Sequence, residues 1–169
     1  MKKFLTASLV TIFIASLSLA PATHAAQISD DQAGLISMTC GSVQLQLKNL
    51  RKTDSRVRVY LGSRYEFVLA NLMTNLNLRL IKNNLASPPL AASQTTFNSE
   101  REFFKTAFTD YSKSLDVLIA TDCKSDPYGF YDKLELARNK REIVRASYLR
   151  LKDELARHRL AVTEFKDNL

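Results

Sequence analysis

The chain has 169 residues, with 24 lysines and arginines against 17 aspartates and glutamates, a net charge of +7. Four glycines, four prolines and no tryptophan exclude a turn-rich β fold and leave helix as the expectation. Two cysteines exclude a disulfide-dense scaffold, and the length suits one domain with a real core.

At the N-terminus, Lys2 and Lys3 precede an apolar run from Phe4 to Ala20. Pro21 ends the run, and Thr23-His24-Ala25 puts small side chains at the two positions a signal peptidase reads. This predicts a bacterial-type secretory signal over residues 1–25 and a single helical domain over 26–169. The alternatives are cleavage at Ala20-Pro21-Ala22 and retention of the leader as a short anchor. No cysteine follows the run closely, so a lipid anchor is not expected. The mature domain is then expected outside the cytoplasm: secreted, periplasmic or associated with the cell envelope. It keeps 22 basic residues against 17 acidic ones, has His158 as its one histidine, and contains no further run long enough to cross a membrane.

Along that domain, Ile36, Cys40, Val43, Leu47 and Leu50 recur at helical spacing and predict a helix over about 34–52. Thr53-Asp54-Ser55 follows, three weak helix formers that cap well, and predicts a turn. Val57, Leu61, Tyr65, Val68, Leu72, Leu76 and Leu80 carry a second helix over about 55–85. No glycine or proline forces the break, so one long helix is the alternative. Ala86 to Asn98 contains Pro88-Pro89 and small polar residues and reads as a loop. Ser99 with Glu102 three residues later forms a capping box for a helix over 99–122, whose stripe is Phe104, Phe108, Tyr111, Leu115 and Leu118. Cys123-Lys124-Ser125 is a short turn, and Asp126-Pro127 starts the last helix, 127–167. There the seam runs Leu134, Ala137, Arg141, Val144, Tyr148, Leu151, Leu155, His158, Val162, Phe165 and Leu169, a coiled-coil-like pattern.

Cys40 and Cys123 are expected to pair in an oxidising compartment, closing a loop that would stabilise by roughly 4 kcal/mol. Free thiols or a bond between two chains are the alternatives. The pairing bears on the turn at 53–55. With an unbroken first helix and a third helix starting at residue 99, Cys123 lies about 30 Å from the level of Cys40; a fold-back at 53–55 reduces this to about 12 Å. The expected fold is therefore all-α, an elongated antiparallel bundle of four helices, the first two either separate or one.

Chemistry-bearing residues are few. One histidine and one cysteine pair cannot make a zinc cage within the chain, and Gly41, Gly62 and Gly129 are too isolated to cradle a phosphate. Glu100 and Glu102 sit at an expected helix start, where acids are usual. No catalytic residue, metal or cofactor is expected, and the chain reads as a non-enzyme. His158 on the seam reads as a partly buried histidine paired with Glu154; a haem bundle would need a second ligand such as Met73. Arg141, the other polar seam residue, either fixes register through a carboxylate on a neighbouring helix or extends its charge to water. Arg51, Lys52, Arg56, Arg58 and Arg64 form one basic stretch, and Arg138, Lys140, Arg141 and Arg145 another. They suit an anionic partner, whether a protein face, an envelope polymer or lipid head groups, or else a solvated surface; nucleic acid is not expected. Phe97, Phe103, Phe104, Phe108 and Tyr111 crowd one helix as core, with one ring free to line a groove.

The run Lys52-Thr53-Asp54-Ser55-Arg56-Val57-Arg58-Val59-Tyr60-Leu61-Gly62 resembles uncharacterised secreted helical proteins of small-genome candidate-phylum bacteria, as do Leu118-Ile119-Ala120-Thr121-Asp122-Cys123 and Phe130-Tyr131-Asp132. The resemblance implies a secreted helical domain and transfers no activity to any residue. The functional expectation is a non-enzymatic helical scaffold or adaptor of the bacterial envelope. A periplasmic holdase-type chaperone is the alternative, and the oligomeric state is left open.

Overall fold

The computed structural model describes residues 28–169, so the expected leader lies outside the described residues. Ser29 opens the first helix with a reciprocal capping box: its hydroxyl accepts from the Gln32 amide, and the Gln32 side chain accepts from the Ser29 amide. Helix α1 runs Asp30–Phe67, passes without a break into a π-helical segment, Val68–Thr74, and continues as α2, Asn75–Lys82. These three form one rod. Asn84 then takes a left-handed backbone (φ 55°), and the Leu85 amide donates to the Leu80 carbonyl, closing the rod. Helix α3 is Pro88–Ala120 and α4 is Pro127–Asp167. No strand occurs among the described residues.

The structure corrects two expectations. Helix continues through Thr53-Asp54-Ser55, because partners elsewhere override weak propensity. The Ser55 hydroxyl donates back to the Arg51 carbonyl at 2.7 Å, and Asp54 accepts from the Tyr111 hydroxyl on α3 at 2.6 Å. The expected helices 34–52 and 55–85 are therefore parts of one rod, and the bundle has three rods rather than four. The stretch 88–98 is helix, not loop. Pro88 and Pro89 occupy the first positions of α3, where proline's missing amide costs nothing, and Ser87 is the residue before the helix.

The earlier start of α3 also removes the argument for a fold-back. Cys40 lies about 63 Å along the rod from Lys82. Helix α3 returns about 48 Å, and the non-helical residues 121–123 add about 10 Å. The remaining few ångströms fall further because the wider π turn rises less per residue. Cys40 and Cys123 accordingly meet in a disulfide, with Cα atoms 5.5 Å apart. Contacts between the first rod and α3 confirm the sense: Arg51 with Asp116, Asp54 with Tyr111, Glu66 with Arg101 and Asn77 with Gln94. Numbers rise on one rod as they fall on the other. Glu100 with Arg150 and Ser93 with His158 show the same for α3 and α4.

Helix α3 is the centre of the core. It buries Leu90, Phe97, Phe104, Ala107, Phe108, Tyr111, Leu115 and Leu118. Edge-on rings link Tyr65 of α1 to Phe97 and Phe104, then Phe104 to Phe108 and Phe108 to Tyr111. The predicted α4 seam splits in two. Ala137, Val144, Leu151 and His158 are buried as expected, and Ser147 and Glu154 join them. Small residues at Ala137, Ser147 and Ala107 suit close packing of α4 on α3. The other flank, Arg141, Tyr148 and Val162, is left toward the first rod.

Candidate groove between the first rod and α4

That flank faces a groove of about 680 Å³. Val57 and Leu61 of α1 form one wall, Val144 and Tyr148 of α4 the other, and Phe104, Phe108 and Tyr111 of α3 the floor. The groove is accessible: Tyr60 is 62% exposed, Val57 44% and Tyr148 37%. From Arg56 to Arg64 only Leu61 is shielded from solvent, so this part of α1 rests on the bundle through one side chain per two and a half turns.

One end of the groove is polar. Asp54 accepts from Tyr111 and lies 3.7 Å from Arg141. Burial, and then the hydrogen bond to Asp54, push the Tyr111 phenol well above its ordinary value, so it remains a donor. Tyr65 is raised to about 12, chiefly by burial. One turn before Asp54, Arg51 makes two hydrogen bonds to Asp116, which hold that carboxyl below the usual range.

The basic residues named from sequence do not form one patch. Arg141 and Arg145 line the groove together with Glu142, and Arg64 lies beside it, donating to the hydroxyl of the groove residue Tyr60 at 3.2 Å. Arg58 lines a separate depression on the α3 side of α1, with Glu66, Arg101 and Lys105. Arg51 is engaged by Asp116, Arg138 pairs with Glu135, and Arg145 pairs with Glu142 at 3.3 Å. Lys52 and Arg56 are exposed, and Lys140 is half-buried. Sequence reasoning missed Val57, Tyr60 and Tyr148 as groove residues. For Val57 and Tyr60 the signal was apolar side chains interleaved with arginines in the run 56–64, on a stretch of helix too polar to be core.

His158 is not in this groove. It is buried, its Nδ1 lies 3.0 Å from the Ser93 hydroxyl, and Glu154 pairs instead with Arg157. With Arg79 and Asn75 of α2 it lines a smaller depression farther along the same seam. Burial lowers its pKa from 6.5. The native state therefore binds its proton less readily than the unfolded chain. That contribution to stability is complete above about pH 6.5 and is lost as pH falls from there through the lower native pKa. Urea melts between pH 7.5 and 5 are expected to show this loss, and His158→Gln should flatten the difference. An unchanged pH slope in the variant would contradict it.

Among the described residues no cluster of three or more His, Cys, Asp or Glu could hold a metal, and no helix is long and apolar enough to cross a membrane. No protein-family model, curated protein or solved structure matches the chain.

Proposed function

We propose that this protein is a non-enzymatic helical scaffold or adaptor that works outside the cytoplasm and holds a partner in the groove between the first rod and α4. The observation that carries the reading is the open, apolar-walled groove on a frame closed by a disulfide. Its walls converge on a few fixed polar groups, Asp54, Tyr111 and Arg141, which is how binding sites combine adhesion with orientation. The leader-like N-terminus and the Cys40–Cys123 bond support an extracytoplasmic setting. The net positive charge supports an anionic partner, with a protein face preferred to an envelope polymer or lipid head groups because the apolar walls are concave.

A holdase is the second reading. It draws on large apolar side chains exposed away from the groove, including Leu35, Met38, Val59, Phe67 and Leu160. In-cell crosslinking of a tagged, secreted form separates the two. An adaptor yields one dominant envelope protein at near-equal stoichiometry. Many unrelated exported proteins would establish the holdase and reject the adaptor.

A further inference from the structure

We infer that the groove receives an acidic amphipathic helix of a partner protein, which lies beside the first rod and α4 as a fourth helix. The inference rests on the adaptor reading and specifies the partner's chemistry. The α1 wall extends from Asp54 to Leu61 and the α4 wall from Arg141 to Tyr148. Each is about two turns, or 10–12 Å, long. Two helical walls over an aromatic floor suit a third helix, whose anchors at i, i+3 or i+4 and i+7 would meet Val57, Leu61, Phe104 and Val144.

Charge selects the occupant. Between Lys48 and Lys82 the first rod carries only two acids, Asp54 and Glu66. Both are engaged by groups of other helices, Asp54 by Tyr111 and Arg141 and Glu66 by Arg101. Arg64 has no carboxylate partner among the described residues, while Arg145 holds Glu142 only in an exposed pair, which solvent makes weak. Arg141 and Arg145 thus line the α4 side of an apolar trough, where the one acid, Glu142, is already paired with Arg145, and Arg64 stands beside the α1 wall on the Tyr60 hydroxyl. Acidic residues flanking a partner's apolar stripe would face Arg64 on one side and Arg141 and Arg145 on the other. A second copy of this chain would bring the same arginines against each other, which like charge opposes. A flat lipid surface could reach the rim but not Leu61 and Phe104 between the walls.

The test uses the disulfide-bonded domain and two synthetic helical peptides of about 18 residues. Both carry leucines at the anchor spacing; one has glutamates on its flanks and the other lysines. The acidic peptide is expected to bind at micromolar concentration, and the lysine peptide at least about tenfold more weakly. Arg64→Glu with Arg145→Glu changes only exposed side chains and should reverse that order. Val57→Glu should weaken both peptides, with circular dichroism showing each variant folded. Equal binding of the two peptides, or an order that survives the double reversal, would overturn the inference. So would anionic phosphatidylglycerol vesicles binding where the acidic peptide does not, or self-association through this seam. The two readings fail separately: a stoichiometric partner crosslinked to another face would leave an adaptor standing and remove the groove as its binding site, whereas many unrelated exported proteins would reject the adaptor itself.

Discussion

Replacing Cys40 and Cys123 together with alanine is expected to remove roughly 4 kcal/mol of stability and to lower the melting temperature by about 10 °C or more. The bond joins residues separated by 83 positions, so it withdraws much conformational freedom from the unfolded chain. Its place in the fold concentrates the effect. The turn at residues 83–87 holds one end of the first rod to α3, and the disulfide holds the other. Between them, the stretch from Arg56 to Arg64 shields only Leu61. Without the bond, the rod's N-terminal half is secured by Ile36, Val43 and Leu47 packing and by Arg51 and Asp54 pairing with α3. Hydrogen exchange should therefore rise most in α1 and least in the α3–α4 pair. A loss under about 1 kcal/mol, or a uniform rise in exchange, would contradict this account of the bond.

Most of the fold was legible because its signals are periodic and local. The α4 start at Asp126-Pro127 is as expected, with the Asp126 carboxylate accepting from the Gly129 amide. The α3 stripe from Phe104 to Leu118 is buried as its spacing requires. The errors came where a local cue competed with a distant partner. Thr53-Asp54-Ser55 has the composition of a turn, yet Asp54 is satisfied by Tyr111, which no local rule supplies. Pro88-Pro89 carries two opposite meanings, loop or helix start, and the buried Leu90 and Phe97 that decide between them lie just beyond. Those two errors reinforced each other, since a late start for α3 made the correct disulfide argue for a fold-back that does not exist.

The groove was less legible than the fold. Arg141 and Arg145 were named from sequence, but only the three-dimensional packing brings them to the groove and separates them from Arg58 and Arg51. The predicted α4 seam also hid the distinction that matters. Its Ala137–Val144–Leu151–His158 line is core, while Arg141 and Tyr148, one position to the side of it, face the groove. A seven-residue repeat cannot show which flank of a wide apolar stripe finds a partner within the same chain.

The groove exists only if the first rod passes Thr53-Asp54-Ser55 unbroken, placing Val57 and Leu61 opposite Val144 and Tyr148. The most direct test is a spin-label distance between Gln46 and Lys82, both exposed, with labels introduced as unnatural amino acids so that the disulfide stays intact. An unbroken rod predicts about 54 Å between the backbone sites. A rod folded back at 53–55 would give about 30 Å and would remove the groove together with the function proposed for it.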